Sequence, residues 1–214
     1  MTAAALLVVA KSPVPGHAKT RLCPPATAQQ AAAIAAAALL DTLDAARGRR
    51  TVVALSGRLD HAARVTELRA ALARCRVVPQ RGNGFAARLA AAHADAGGPV
   101  LQVGMDTPQL DAALLDEGDA ALCGADAVLG PATDGGWWAL GLHDPRHAQA
   151  LLDVPMSTPD TGELTLRALR GAGLRVRTLP ELSDVDTMSE AVRVAGAVPG
   201  SRFADAVAAV GQAR

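Results

Sequence analysis

Leu6-Leu7-Val8-Val9-Ala10-Lys11-Ser12-Pro13-Val14-Pro15-Gly16-His17-Ala18-Lys19-Thr20-Arg21-Leu22 begins as an apolar run and ends as a loop of prolines, glycine and cations. The opening residues read as a buried strand. A loop of this composition directly after a first strand is where an open α/β sheet places a phosphate group. The only two lysines of the 214-residue chain, Lys11 and Lys19, both lie in it; every other cation among the 21 Lys+Arg is arginine. A compact ammonium on a flexible stem suits phosphate oxygens. The loop is not a Walker A cradle. Lys19-Thr20 matches the end of that motif, but Pro13 and Ala18 stand where its glycines belong, and proline lacks the amide donor that a backbone cradle uses. Phosphates here would be held by the side chains of Lys11, Lys19 and Arg21.

Outward from this loop, apolar runs alternate with alanine-rich stretches. The runs Leu6–Ala10, Thr51–Leu55, Arg76–Val78, Val100–Val103, Ala127–Leu129, Trp137–Leu142 and Leu174–Thr178 are expected as strands. Ala26–Ala46, Asp60–Arg74, Asn83–Ala96, Asp111–Glu117, Asp160–Arg170 and Met188–Val194 are expected as helices. The first helix carries a start signal, Thr27 followed three residues later by Gln30. Strands alternating with helices imply a mostly parallel sheet covered on both faces, a three-layer α/β/α sandwich. Residues 1–214 read as one domain, with no internal repeat.

Composition narrows the function. Hydrophobic residues make up 50% of the chain, enough for a core. The formal net charge is +0, so no global field favours nucleic acid or a membrane surface. The apolar start is too short to span a bilayer. Cys23, Cys75 and Cys123 lie far apart and form no metal-ligand spacing. An odd number of thiols without a secretory signal points to the cytoplasm.

Three further stretches could carry chemistry. Val100-Leu101-Gln102-Val103-Gly104-Met105-Asp106-Thr107-Pro108 runs a buried strand out into a carboxylate. Asp106 there could hold Mg²⁺ or Mn²⁺, which prefer oxygen ligands; equally, Asp106 or Thr107 could cap a helix that Pro108 opens. Leu129-Gly130-Pro131-Ala132-Thr133-Asp134-Gly135-Gly136-Trp137-Trp138 enters a glycine turn and leaves as an aromatic strand. Gly135 and Gly136 permit close approach of a ligand. Adjacent tryptophans on a strand face opposite sides, so one fills the core and the other faces the site or solvent. Asp134 could orient hydroxyls or act as a base, or could serve the turn alone. In Asp184-Val185-Asp186-Thr187-Met188-Ser189-Glu190, Thr187 and Glu190 form a capping box, and one of the carboxylates could complete a metal site with Asp106.

Taken together and in order, Lys11–Leu22, Gly104–Leu110, Gly130–Trp138, Ser157-Thr158 and Asp184–Glu190 resemble the DUF2064 group of candidate glycosyltransferases. That group is nucleotide-diphospho-sugar transferase-like, with the GT-A fold. The first loop is also similar to the lysine/arginine signature of guanylyltransferases that build deazaflavin cofactors. The resemblance implies a GT-A domain whose first loop contacts nucleotide phosphates. It implies that Asp106 is a metal-binding aspartate and that Asp186 is the second ligand. It implies a transferase taking its group from a nucleotide-activated donor. The leading reading is glycosyl transfer from a nucleotide-sugar to an unknown small-molecule acceptor, with nucleotidyl transfer from an NTP as the alternative. On that reading Asp106, Asp134 and Lys19 are catalytic; Lys11, Lys19, Arg21, Gly135, Gly136 and Trp137 bind the substrates. The chain departs from the group at Trp137-Trp138, where tyrosines are usual, and at Met156, where a tryptophan is usual. Both departures fall where an acceptor would bind.

Overall fold

In the computed structural model, which describes residues 4–211, seven strands form one sheet in the order β3-β2-β1-β4-β6-β5-β7. The strands are β1 (Ala5–Lys11), β2 (Thr51–Ser56), β3 (Arg76–Pro79), β4 (Val100–Gly104), β5 (Ala127–Pro131), β6 (Trp137–Leu142) and β7 (Val176–Thr178). The helices are α1 (Ala28–Ala45), α2 (Val65–Leu72), α3 (Phe85–Ala96), α4 (Ala112–Cys123), α5 (Thr161–Gly171), α6 (Met188–Ala197) and α7 (Arg202–Gly211). β6 alone runs antiparallel, against β4 on one side and β5 on the other. This is the α/β, mostly parallel architecture expected from the strand–helix alternation.

Alternation along β1 sets the two faces. Leu6 and Val8 pack with Leu39 of α1, Leu68 of α2 and Leu115 of α4. Leu7 packs on the opposite side with Val52, Ala92 and Ala96. The alanines of α1 let other elements approach closely on both of its sides: Ala35 and Ala36 face the sheet core, while Ala31 and Ala38 pack with Phe203 and Val207 of α7. The Thr27 capping box forms as expected, with Thr27 Oγ1 accepting from Gln30 N and Gln30 Oε1 accepting from Thr27 N.

Several boundaries differ from the sequence expectation, each for a packing reason. α2 starts at Val65 rather than Asp60, because Ala63 N donates to Pro13 O and ties the preceding turn to the first loop. α4 does not stop before Gly118 but continues to Cys123. Gly118 is no helix end: a Cβ there would lie 2.7 Å from Leu101 Cδ2, so the missing side chain makes room for the sheet. α4 also starts at Ala112, capped by Asp111, whose Oδ1 accepts from Leu114 N. Pro108 therefore opens no helix, and neither Asp106 nor Thr107 is a cap. α7 has no counterpart in the sequence expectation. Among the described residues no helix is long and apolar enough to cross a membrane.

Candidate functional site

β1 and β4 are parallel neighbours, so the loops at their C-terminal ends emerge side by side. The loop after β1 passes through Gly16 and reaches Lys19, whose backbone is left-handed (φ 48) before a short 3₁₀ turn over Thr20–Leu22. Ala18 and Leu22 are buried and anchor the backbone on either side of Lys19. The loop after β4 brings Asp106 up beside Gly104, where a Cβ would stand 2.6 Å from Asp106 Oδ1. Glycine at that position leaves the carboxylate room to approach.

The third contribution comes from the stretch before α6. Val185 N donates to Asp106 O across 3.3 Å, locking the two loops together. Asp186 and Asp184, two residues apart, then meet different partners. Lys19 Nζ donates to Asp106 Oδ2 at 2.8 Å and to Asp186 Oδ1 at 2.9 Å. Arg21 Nη1 donates to Asp186 Oδ2 at 2.8 Å. Asp184 is held from the other side by Thr107, whose hydroxyl donates to Asp184 Oδ1 at 3.1 Å. Thr107, buried, thus positions a carboxylate. The Thr187–Glu190 capping box forms, and Glu190 Oε2 also accepts from Asp186 N.

The electrostatics of this cluster are uneven. Burial pulls the Lys19 ammonium towards neutrality, but Asp106 and Asp186 outweigh it and hold its pKa above the ordinary value. Asp186 is likewise held below the carboxylate range, as Lys19 and Arg21 overcome the effect of burial. Asp184 goes the other way. Burial, reinforced by the neighbouring charges of Asp106 and Asp134, pushes it up to about 7. Lys19 offsets only a small part of this effect on Asp184, and a further cation would be stabilised there. The donor set is all carboxylate oxygen, which suits Mg²⁺ or Mn²⁺ bound through one or two carboxylates together with substrate phosphates. Among the described residues, no three Asp, Glu, His or Cys side chains are grouped tightly enough to enclose a metal by themselves. The residues therefore fit an open site in which substrate and water complete the shell, not a closed cage.

Lys11 does not join this cluster. It lines a cavity of about 170 Å³ with Ser12, Val14, His17, Ser56, Gly57 and Arg58, at the C-terminal ends of β1 and β2. Next to it, a segment the sequence reading passed over completes the same edge of the sheet. Gln80, leaving β3, donates from Nε2 to both Ala10 O and Ala54 O, bracing the ends of β1 and β2. Gly82 and Gly84 follow with positive φ, and α3 begins at Phe85 with no side-chain cap. The signal was legible: two glycines between a strand end and an alanine-rich helix at a sheet edge.

Asp134, Gly135 and Gly136 serve the turn. Asp134 Oδ1 accepts from Gly136 N at 2.8 Å. Gly135 (φ 85) packs so closely on Pro159 that a Cβ would lie 1.8 Å from its carbonyl oxygen, and its own carbonyl accepts from Gly162 N at 2.8 Å. Asp134 also bears on the site through its charge, which helps to raise Asp184. Trp138 fills the core at 1% exposure, its indole N–H donated to Pro180 O. Trp137 is half-buried against α5, its indole N–H donated to Thr165 Oγ1 at 3.2 Å. The division between the two rings is as expected, but Trp137 faces a helix, not an open surface.

Comparison with known proteins identifies the fold and the family of the chain. No curated protein matches the sequence. A candidate nucleotide-diphospho-sugar transferase from Desulfovibrio desulfuricans superposes with TM-score 0.83 over 99% of this chain and 98% of its own, at 24% identity. Rv0371c from Mycobacterium tuberculosis, solved as a manganese complex, gives TM-score 0.55 over 90% and 97% at 23% identity. A cytidylyltransferase from Leptospira borgpetersenii gives 0.57 over 99% and 95% at 12% identity. These likenesses establish the fold. A model of the family DUF2064, uncharacterized proteins conserved in bacteria, matches residues 39–158. That stretch covers more than half of the chain and includes Asp106, Asp134 and the glycine turn, and the protein belongs to the DUF2064 family.

Proposed function

We propose that the protein is a divalent-metal-dependent transferase that takes its group from a nucleotide-activated donor, in the leading reading a glycosyl group from a nucleotide-sugar. The observation that carries the proposal is the convergence of Lys19, Arg21, Asp106 and Asp186 from three distant stretches at the C-terminal edge of the sheet, the edge where ligands of open α/β sheets bind. The manganese complex of Rv0371c supports a metal in this fold.

Asp106 and Asp186 are the residues that would hold the metal, with Asp184 behind them. A bound Mg²⁺ or Mn²⁺ would neutralise charge developing on the phosphate leaving group. Lys11, His17 and Arg58 line a cavity sized for phosphate groups and would hold the donor from the other side. Lys19 and Arg21, paired with the carboxylates, would add positive charge where the leaving group forms. Asp134 and the Gly135-Gly136 turn would border the acceptor side.

One observation favours nucleotidyl transfer as a second reading. The cations of the cavity add to Lys19 and Arg21, a density suited to a triphosphate, while Trp137 packs on α5 and offers a sugar less ring than a free platform would. The two reactions break different bonds. Glycosyl transfer cleaves the sugar–phosphate C–O bond and frees a nucleoside diphosphate; nucleotidyl transfer attacks the α-phosphorus and frees pyrophosphate. Incubation with Mg²⁺, nucleotide-sugars, the four NTPs and candidate phosphorylated acids distinguishes them. Nucleoside diphosphate release lost in Asp106→Asn supports the leading reading. Acceptor-dependent pyrophosphate release lost in the same variant replaces it with the second.

A further inference from the structure

Asp106 and Asp186 aim their oxygens at one point, and the ammonium of Lys19 stands at it, 2.8 and 2.9 Å away. We infer that Lys19 is a tethered competitor for the divalent ion: the ion enters between Asp106 and Asp186 as the Lys19 side chain swings out, and the released ammonium turns to the donor's phosphates. The inference rests on the reading of Asp106 and Asp186 as metal ligands.

The backbone of the cluster is fixed independently of the Lys19 side chain. The Lys19 backbone is pinned: Leu22 N donates to Lys19 O at 3.0 Å, and Ala18 N to Val14 O at 3.1 Å. The backbone behind each carboxylate is held without Lys19, since Val185 N donates to Asp106 O and Asp186 N donates to Glu190 Oε2, and Arg21 Nη1 holds the Asp186 carboxylate itself. The two loops therefore stay converged when Lys19 leaves. Lysine's flexible stem permits that departure, where a planar arginine fork would have to give up paired bonds. A divalent ion and an ammonium a few ångströms apart repel each other, so they cannot share the point unless phosphate oxygens lie between them. Each ligand then assists the other: metal frees the ammonium for phosphate, and phosphate holds the ammonium away from the metal. Such coupling is reciprocal by linkage.

Because Lys11 and Lys19 are the only lysines, lysine-selective ¹³C,¹⁵N labelling of the full chain gives two side-chain signals. On titration with Mg²⁺ alone, the Lys19 signal is expected to shift and its ammonium protons to exchange faster, with Lys11 unaffected. In calorimetric titration with Mn²⁺, Lys19→Met is expected to bind at least about fivefold more tightly than wild type, since two charge-assisted hydrogen bonds no longer have to be broken. Lys19→Arg, which keeps a cation, should bind no more tightly than wild type. Saturation by Mg²⁺ with an unmoved Lys19 signal overturns the inference, as does a Lys19→Met variant with unchanged Mn²⁺ affinity. Asp106→Asn separates the two levels. If it binds Mn²⁺ as wild type does, the metal assignment falls and the competition with it. If it loses Mn²⁺ while Lys19→Met gains none, the competition alone falls.

Discussion

Two turns leave strand ends on this sheet, each carries an aspartate, and they are built in opposite ways. After β4, Asp106 reaches outward to Lys19, 87 residues away in sequence, and shares it with Asp186, 167 residues from that lysine. After β5, Asp134 folds back on Gly136, two residues on, and the glycines beside it close against Pro159 and Gly162. The first turn gathers charge that its own segment cannot satisfy. The second satisfies itself and spends its glycines on backbone contact. A self-satisfied turn should matter most to stability, and an outward-reaching one most to chemistry.

The largest expected effect is in the second turn and on folding. Gly135→Ala places a Cβ against the Pro159 carbonyl at a positive φ, and Gly162→Ala places one 2.5 Å from Gly136 O. Neither obstacle is the end of a flexible side chain. Each substitution should cost about 3 kcal/mol or more, measured as a lowered midpoint in urea unfolding. Tolerance of both would show that this turn is not the packing device the contacts indicate.

Asp106→Asn should do the converse. Its fold should survive, with stability within about 1 kcal/mol of wild type, because the hydrogen bond that locks the loop uses the Asp106 backbone carbonyl, not its side chain. Turnover of the donor should fall about 100-fold or more, as for loss of a group that meets developing charge. A variant that unfolds as readily as Gly135→Ala would erase the distinction between the turns.

The cluster's internal strain gives a pH test. The folded pKa of Asp184 is raised to about 7 from an ordinary 3.8. Between those values the folded state keeps a proton that the unfolded state has lost. This contribution to stability is therefore fully present below pH 3.8 and is lost as pH rises towards 7. Asp184→Asn should remove that dependence and, at pH 8 with a chelator present, stabilise the protein by about 1–2 kcal/mol, a sign of charge kept for binding at the expense of folding. Urea unfolding at pH 5 and pH 8 measures it; equal gains at both pH values would mean that Asp184 carries no such burden.

How far the sequence reveals this division depends on the range of each contact. The strands were legible because their apolar runs are local, and so were both capping boxes, which span three residues. α7 is not among the expected helices, although Phe203, Val207 and Val210 recur on one face. What fixes it is remote: Asp41 of α1 accepts from Phe203 N and Arg202. Gly118 reads as a helix end because its partner, Leu101, is far away in sequence. In the site, the residue types were readable, but not their pairing. Lys19 and Arg21 read as cations for phosphate, and the structure gives them carboxylate partners as well. Thr107 reads as a cap and proves to be the holder of Asp184. Gln80 gave little sign of bridging two strand ends, since its role exists only once β1 and β2 lie side by side.

The smallest expected effect sharpens the comparison most, because it concerns the residue on which the local and functional readings divide. Asp134 is exposed, and its resolved hydrogen bond is to Gly136 N within its own turn. Asparagine keeps that bond, since its side-chain oxygen accepts equally well at this spacing and the residue suits such turns. Asp134→Asn should therefore change stability by less than about 0.5 kcal/mol, as for other exposed substitutions. It also removes one of the charges that raise Asp184, so a modest change in the pH dependence of activity is expected with little change in rate. If Asp134 instead accepted a proton from the acceptor, asparagine could not replace it, and the rate would fall by the 10²-fold or more typical of a lost general base, roughly that of Asp106→Asn. Steady-state rates of the two variants, measured side by side with the same donor, decide the matter. Equal losses would move the glycine turn into the active site and make the two turns partners rather than opposites.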